Sequence, residues 1–510
     1  MADSCTRFIT REMASRLAAS LALFFLLASV AVLIAVAVVQ VHKRTYESAG
    51  LRFGIVLDAG SSRTTLYLYQ WPAEKENNTG VVSQTLNCMV DGVPISSLGQ
   101  NSSLDQMSWS SLKNCVAQAR EIIPPSLHSI TPIFLGATAG MRLLRSQNET
   151  ASDEILQSLE NYLKSLPFDF RNASIISGAE EGLYGWITAN YLMGNFLERN
   201  MWNEWLHPQG AKTIGSMDLG GASTQIAFTT PIEEGASAEG YTRVRLYGYN
   251  YNVYTHSFLC YGKNEAHKKV LAALVLAQKP SKTVENPCFP VDYSTTMSAA
   301  DIFGSPCTET PQDYDPDQQL HLVGTGDPAR CRAVVRTIFD LESCRGQANC
   351  SFNGVYQPAL SGHFLAYAGF YYTANALKLN SSFTLDSFNS TVFAFCSKNW
   401  TTLIANYEIR EKYLSAYCYS SNYVYNLLVE GYKFTAETWN NIIFKKKVEN
   451  SNIAWSLGYM LTTSNMIPAE PKRLWLPMDN SVFAGLLFVF SSLAILSLMF
   501  LIISLVRVCY

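Results

Sequence analysis

Two long apolar runs lie at opposite ends of the chain, at Leu17–Val41 and Val482–Val506. Each run is long enough to cross the hydrocarbon core of a bilayer as a helix. The first run is too long for the apolar region of a cleaved signal peptide, and the Gln40–Lys43 segment at its end is no small-residue cleavage site. The pattern therefore predicts a membrane anchor at each end.

A weak internal repeat lies between the two anchors. Apolar residues at Phe53–Leu57 are followed by an aspartate and small residues at Asp58–Ser62, and then by a second apolar stretch at Thr64–Tyr69. The same order returns in Met217–Ser223 and Thr224–Phe228. Because glycine and serine supply tight bends, each copy predicts a β-hairpin, which differs from the strand-to-helix turn of a P-loop.

Three further segments show apolar residues at helical spacing, namely Ser108–Ile123, Ala151–Leu163 and Gly182–Phe196. Strands and helices that alternate in two similar halves predict an α/β fold of two lobes with a cleft between them. The cysteine-rich stretch Cys260–Cys418 predicts a disulfide-stapled elaboration of the second half. The expected boundaries are a tail at 1–16, a membrane helix at 17–41, lobe I at 45–200, lobe II at 201–480 with a C-terminal part that can return to lobe I, a membrane helix at 482–506 and a tail at 507–510.

Charge, cysteines and glycosylation signals indicate the compartment. The formal net charge of -3 argues against a nucleic-acid-binding protein. Basic residues lie on both flanks of the first apolar run, so they do not determine its orientation in the membrane. Ten of the twelve cysteines lie between the anchors and suit five disulfides, namely Cys88, Cys115, Cys260, Cys288, Cys307, Cys331, Cys344, Cys350, Cys396 and Cys418. Asn-x-Ser/Thr acceptors occur in the same region, at Asn77, Asn101, Asn148, Asn172, Asn349, Asn380, Asn389 and Asn399. The middle of the chain is therefore predicted to be extracellular or luminal, with both tails in the cytosol.

The two aspartate turns suit a polyphosphate ligand. Such turns present backbone N–H donors, and their small residues let the backbone approach a ligand closely. Asp58 and Asp218 could hold one hard cation, Mg²⁺ or Ca²⁺, directly or through its waters. A single Asp-x-Gly is more often only a turn cap. Two similar copies favour the ligand-binding interpretation.

Two other segments carry candidate chemistry. Leu135–Arg142 predicts a third small-residue turn, which could contact phosphate through Thr138, although alone it is only a helix entry. Ser177–Gly182 places Glu180 and Glu181 at the start of an apolar helix, where one of them could act as a general base. Acidic residues are also favoured at helix N-termini for purely structural reasons. The chain lacks the P-loop, Gly-x-Ser-x-Gly, His-Glu-x-x-His and paired Cys-x-x-Cys motifs.

Taken together, the motifs resemble the apyrase conserved regions of the ecto-nucleoside triphosphate diphosphohydrolase family. The matching segments, in order, are Asp58–Ser62, Gly136–Gly140, Glu180–Gly182, Asp218–Ser223 and Ala454–Leu461. The resemblance implies an actin-like (RNase H-like) two-domain fold, a nucleotide in the cleft and dependence on Ca²⁺ or Mg²⁺. It also implies removal of the γ- and then the β-phosphate of ATP, ADP, UTP or UDP at the plasma membrane.

The resemblance also assigns roles to individual positions. It implies Glu181 as the base, Ser223 and Gln225 as partners of the attacking water, and Asp58 and Asp218 as carboxylates of the metal site. Phosphate-contacting positions fall at Ser61, Ser62, Arg63, Thr138, Ala139, Gly221 and Ala222. The nucleobase would lie between Lys263 and one of two tyrosines, Tyr371 or Tyr372, of which we assign Tyr371.

The family resemblance further implies a disulfide order and exposes one departure. The implied pairs are Cys88–Cys115, Cys260–Cys307, Cys288–Cys331, Cys344–Cys350 and Cys396–Cys418. Ala179 stands where the family usually has glutamine before the paired glutamates, and the lost amide could alter the positioning of water or metal.

Three other functions remain open at this point. A non-catalytic nucleotide receptor on the same scaffold would be consistent with Ala179, and a luminal Golgi nucleoside diphosphatase would differ only in location and preference. An actin-like kinase or chaperone would work in the cytosol, which the anchors and cysteines disfavour. The expected partners are nucleotides and the membrane but no nucleic acid, and the sequence allows a homo-oligomer without requiring one.

Overall fold

The computed structural model describes residues 2–42, 45–47, 49–75, 80–100, 107–199, 205–208, 212–230, 239–470 and 473–509. The chain divides into two compact units, of which the first contains residues 1–50 and 470–510 and the second contains residues 51–469. Its helices are α1 (Ala2–His42), α2 (Met107–Ile122), α3 (Ala139–Gln147), α4 (Glu149–Lys164), α5 (Gly178–Leu192), α6 (Lys263–Ala277), α7 (Ala299–Phe303), α8 (Pro328–Arg336), α9 (Gly369–Ala376), α10 (Leu385–Cys396), α11 (Trp400–Asn406), α12 (Glu411–Leu414), α13 (Tyr417–Tyr425), α14 (Ala436–Trp439), α15 (Trp455–Ser464) and α16 (Asn480–Cys509).

The strands are β1 (Thr45–Glu47), β2 (Leu51–Ala59), β3 (Thr64–Pro72), β4 (Ser83–Val90), β5 (Pro132–Ala137), β6 (Asp169–Ile175), β7 (Glu198–Arg199), β8 (Trp205–Leu206), β9 (Gly215–Leu219), β10 (Ser223–Thr229), β11 (Tyr241–Leu246), β12 (Tyr249–Leu259), β13 (Thr283–Asn286), β14 (Ser294–Ser298), β15 (Gln319–Gly324), β16 (Phe364–Ala368), β17 (Ile442–Phe444), β18 (Lys447–Val448), β19 (Ser451–Asn452) and β20 (Arg473–Trp475). Short 3₁₀ turns occur at Ile95–Gln100, Pro125–Ile130 and Glu342–Cys344, and a π-helical turn at Asn426–Gly431.

The first unit contains the two terminal helices. Within α1 and α16, the segments Ser15–His42 and Asn480–Arg507 are long and apolar enough to cross a membrane, with mean hydropathies of 3.0 and 2.8. The two helices pack against each other, and β1 pairs with β20 in antiparallel fashion. Both predicted anchors therefore form continuous helices.

The second unit is built on two sheets of similar topology. The first sheet has the order β4-β3-β2-β5-β6, and the second has the order β11-β12-β10-β9-β16-β17. In each sheet, an antiparallel hairpin (β2–β3 or β9–β10) is followed by a parallel partner of its first strand (β5 or β16). The internal repeat seen in the sequence is therefore a repeat of this sheet motif, and it places the two aspartate turns at matching strand ends.

Residues of both sheets enter one shared core. Val56 of β2 and Ala227 of β10 lie in the same buried cluster as Trp186 of α5 and Met460 of α15. The opposite face of β2, including Ile55, packs into a separate core. Burial on both faces explains why these strands read as nearly continuous apolar runs.

The helix α15 lies directly against α5. The Gly458 N–H donates to the Thr188 hydroxyl at 2.8 Å, and that hydroxyl donates to the Ala454 carbonyl at 2.7 Å. A methyl group added at Gly458 would lie 2.0 Å from the Tyr184 carbonyl oxygen. Only glycine therefore allows this helix contact.

Gly458→Ala is expected to lower the free energy of unfolding by about 2–3 kcal/mol, because the added carbon meets backbone atoms that cannot rotate away. Thermal unfolding of the purified protein measures the loss. Gly485→Ala is the matched control, since a methyl group there meets nothing within 4 Å. Equal melting temperatures for the two variants would contradict the packing argument.

The five disulfides of the structure join Cys88 to Cys115, Cys260 to Cys307, Cys288 to Cys331, Cys344 to Cys350 and Cys396 to Cys418. These are the pairs implied by the family resemblance. Four of them connect segments between Cys260 and Cys418, the stretch read from the sequence as disulfide-stapled.

Candidate functional site

The first aspartate turn links β2 to β3. Asp58 is the penultimate residue of β2, and the turn closes through a hydrogen bond from the Gly60 N–H to the Arg63 carbonyl at 3.0 Å. Ser62 and Arg63 are exposed at the tip of this turn, whereas Asp58 and Ser61 are half-buried.

The second aspartate turn repeats this geometry between β9 and β10. The Gly220 N–H donates to the Ser223 carbonyl at 3.0 Å, and Asp218 occupies the place that Asp58 has in β2. Gly221 is half-buried beside the first turn, because a methyl group there would lie 2.3 Å from the Ser62 Oγ. The two turns therefore meet directly.

The third turn joins β5 to α3 and lies beside the first. The Thr138 N–H donates to the Ala59 carbonyl at 3.1 Å, and a methyl group at Gly140 would lie 2.9 Å from the Ser61 Cα. Thr138 and Ala139 are buried at this junction. The structure thus brings the three small-residue turns together.

The paired glutamates at the start of α5 have separate environments. Glu180 is exposed, and its carboxylate accepts the Ser177 N–H at 2.8 Å, while the Ser177 hydroxyl accepts the Glu180 N–H, which forms a capping box. Glu181 is only 9% exposed and points inward. Glu180 therefore has the structural role of an acidic residue at a helix N-terminus, and Glu181 is the candidate general base.

Glu181 lies in a polar network that joins four elements, α5, α3, β10 and β12. Its Oε2 accepts hydrogen bonds from Arg142 Nη2 at 2.7 Å and from Gln225 Nε2 at 3.1 Å. The same two donors reach the Ser223 Oγ, at 3.2 Å from Arg142 and 2.7 Å from Gln225. Gln225 Nε2 also contacts the Ser257 Oγ at 2.8 Å.

Sequence reasoning missed Arg142 and Ser257 as members of this network. Arg142 lay inside the quoted Leu135–Arg142 segment, four residues after Thr138 and thus one helical turn into α3, which was the available signal. Ser257 faces the site because it is the β12 partner of Gln225. Only the sheet register could reveal that position.

Three carboxylates lie close together at this site, that of the buried Glu181 and those of the half-buried Asp58 and Asp218. Burial raises the pKa of Asp58 to about 7, and the charge of Glu181 adds to the rise. Burial also raises the pKa of Asp218 well above its usual value, with further contributions from Glu181 and Asp58. Burial raises the pKa of Glu181, and the charge of Arg142 opposes the rise. A cation bound here would favour the ionised forms of these carboxylates and lower their pKa values.

The residues predicted to hold the nucleobase have different neighbours in the structure: Tyr371 and Tyr372 contact each other, and Lys263 contacts Tyr417. The Tyr372 hydroxyl is hydrogen-bonded to Arg63 and Lys446, and these two cations lower its pKa against the effect of burial. The Lys263 ammonium lies over the Tyr417 ring, 5.8 Å from its centroid. Tyr371 packs edge-on against Tyr372. The assignment of Tyr371 rather than Tyr372 as the stacking residue stays a prediction.

Ala179 lies outside this network. It is exposed, and its carbonyl accepts a hydrogen bond from the Thr255 hydroxyl at 3.1 Å. Glu181 keeps its contacts with Arg142 and Gln225, so the departure from the family pattern leaves the network intact.

The predicted glycosylation acceptors differ in exposure. Asn148, Asn172, Asn349, Asn380 and Asn399 are exposed. Asn389 is half-buried, and its Oδ1 accepts a hydrogen bond from Arg332. Asn77 and Asn101 lie outside the described residues. All eight remain predicted acceptors.

The two actin-like lobes, with paired aspartate turns beside a buried glutamate, are the architecture of an enzyme that acts on nucleotide phosphates. The sequence model of the GDA1/CD39 (nucleoside phosphatase) family matches residues 44–476. The chain belongs to this family.

Individual relatives agree with the family match. The chain is 54% identical to the human protein named ectonucleoside triphosphate diphosphohydrolase 3 over 484 residues, which is 94% of this chain and 91% of the human one. It is 43% identical to mouse ectonucleoside triphosphate diphosphohydrolase 1, with 87% of each chain covered. A crystal structure of nucleoside triphosphate hydrolases from Neospora caninum shares the fold, with a TM-score of 0.55 at 14% identity, and covers 82% of this chain and 93% of that one.

Proposed function

We propose that this nucleoside phosphatase removes the γ- and then the β-phosphate from nucleoside tri- and diphosphates outside the cell. Supporting observations are the three converging turns, the buried carboxylate and the names of its relatives. The phosphate chain would contact Ser61, Ser62, Arg63, Thr138, Ala139, Gly221 and Ala222, and the base would lie near Lys263 and Tyr371.

One observation carries this proposal further than the fold does. The Gln225 Oε1 is buried without a hydrogen-bond partner among the described residues, although its amide nitrogen has three neighbours. A buried acceptor left unpaired costs about 1–3 kcal/mol, so such an atom is usually satisfied by water or ligand. A water bound here could donate to Gln225 and Glu181 and accept from the Ser223 hydroxyl.

The residues of this chain would divide the reaction among them. Glu181 would take the proton of the bound water, while Ser223 and Gln225 would hold its oxygen in line with the terminal phosphorus. The Arg142 guanidinium would keep the Glu181 carboxylate oriented and charged. Backbone amides of the turns would stabilise charge on the phosphoryl oxygens.

The carboxylates Asp58 and Asp218 fit a hard divalent cation. Their raised pKa values reflect burial and mutual repulsion, which a Mg²⁺ or Ca²⁺ ion would relieve. Among the described residues, no group of three or more His, Cys, Asp or Glu side chains could hold a metal alone. The remaining ligands would therefore be waters and phosphate oxygens, as Mg²⁺ commonly accepts. When bound, the cation would neutralise charge on the phosphate chain.

Phosphate release from ATP and ADP added to intact cells tests the proposal. We expect release by cells that express the chain, and its loss when EDTA removes divalent cations. Because nucleotides do not cross the membrane, activity on intact cells also tests the plasma-membrane location and the extracellular catalytic region. Activity only after permeabilisation would favour the luminal alternative. No phosphate release from a surface-exposed chain would favour the receptor alternative.

Gel filtration in detergent tests for a homo-oligomer.

A further inference from the structure

We infer that Asn264 is a positioning residue that fastens the two aspartate turns to each other across the cleft. The kinetic test of this inference rests on the proposed function, because it needs ATP hydrolysis. The contact itself is observed in the structure. Its Nδ2 donates to the Ser62 Oγ at 3.1 Å, and the two residues are 202 positions apart in the chain.

Asn264 lies at the start of α6, which is hydrogen-bonded to the second turn. The backbone N–H groups of Lys263 and Asn264 donate to the Gly220 and Gly221 carbonyls, each at 2.8 Å, and the Glu265 N–H also donates to Gly221 at 3.2 Å. Gly262 abuts the same turn so closely that an added methyl group would lie 2.3 Å from the Ala222 nitrogen. The start of α6 is therefore fixed to the second turn.

These backbone contacts also orient the second turn. The first amides of α6 are consumed by Gly220 and Gly221, so they are not available to an anion. In a trans peptide the C=O and N–H groups point in opposite directions. The amides of Gly221 and Ala222 therefore point away from α6, where a phosphate could reach them.

The Asn264 side chain then sets the position of the first turn. Its amide nitrogen and the hydroxyls of Ser61 and Ser62 all converge on Gly221, at 3.1, 2.7 and 2.3 Å from the place of an added methyl group. Because Asn264 donates to Ser62, the Ser62 hydroxyl keeps its own proton to donate to a phosphate oxygen. The contact thus aligns both turns in the unliganded protein. Nucleotide binding then loses less conformational entropy, because the turns are already ordered.

Asn264→Ala tests this role in the full-length enzyme. We expect the KM for ATP to rise about 5–10-fold, because the variant lacks the hydrogen bond that aligns the two turns. The kcat should change less than about twofold. Magnesium tripolyphosphate, used as a competitive inhibitor, should lose affinity by a similar factor because it contains only the phosphate chain. The melting temperature of the unliganded protein should change by no more than about 2 °C, since Asn264 is exposed.

A double-mutant cycle with Ser62→Ala separates this role from a general structural one. If Asn264 acts through Ser62, adding Asn264→Ala to Ser62→Ala raises KM no further. Asn161→Ala, which removes an exposed amide on α4, is the matched control and should leave KM unchanged. Additive effects, a lower KM or an unchanged inhibition constant would each overturn the inference. If the parent binds tripolyphosphate without hydrolysing ATP, the dissociation constants of tripolyphosphate from direct binding measurements still test Asn264, and only the proposed function fails.

Discussion

Glu181→Gln is expected to reduce the turnover of ATP by about 10²–10⁴-fold, the usual contribution of a general base. Glutamine keeps the size of the side chain and its contacts with Arg142 and Gln225, but it cannot accept a proton at neutral pH. Nucleotide affinity should therefore stay near that of the parent. Single-turnover hydrolysis and binding of a non-hydrolysable ATP analogue measure the two quantities separately.

The neighbouring Glu180 provides the control for this experiment. Glu180→Gln removes an exposed carboxylate from the capping box of α5, so it should cost a small amount of stability and leave turnover nearly unchanged. If Glu181→Gln lost nucleotide binding and thermal stability together with turnover, Glu181 would be a structural residue. Equal activities for both variants would also rule out Glu181 as the base.

The second large effect is expected at Arg142, whose Nη2 lies 2.7 Å from Glu181. Arg142→Met should lower kcat by about 10–100-fold, because the carboxylate loses its partner and one of its fixed orientations. The arginine charge lowers the pKa of Glu181, so its removal should raise that pKa. The acid limb of the kcat profile should therefore move to higher pH, and part of the activity should return as the pH rises.

Arg145→Met is the matched control on the same helix. Arg145 is exposed and pairs with Glu149 and Asp153 at the surface, where such pairs contribute little. Its replacement should change neither kcat nor the pH profile. A uniform loss in Arg142→Met at every pH would contradict an electrostatic role and leave only orientation.

Local patterns predicted the hairpins because each aspartate turn and its flanking strands are contiguous in sequence. They did not predict that β16 and β17 complete the second sheet, since these strands follow β9 by more than a hundred residues and are short. The apolar pattern pointed to a helix from Gly182, whereas α5 begins at Gly178, after the Ser177 cap, so Glu180 and Glu181 lie in its first turn, as the Ser177–Gly182 segment predicted. Its apolar pattern begins only one turn later.

The candidate site shows the same limit. Asp58, Asp218 and Glu181 could be chosen because each lies in a recognisable motif. The ion pair of Arg142 with Glu181 joins residues 39 positions apart, and the bond from Asn264 to Ser62 joins residues 202 apart. No periodicity in the sequence encodes such contacts. They depend on how β12, α3 and α6 pack against the turns.

The packing of α15 against α5 and the first sheet bears on how the enzyme could be separated from its two terminal helices. Tyr69 of the first sheet contacts Ser456 at 2.8 Å, and Leu457, Met460 and Leu461 fill the core shared by both sheets. A truncation that ends before residue 455 would open this core, although it would spare every motif residue from Asp58 to Gln225. A soluble form made by proteolysis or by design must therefore retain α15 and end beyond Ser464.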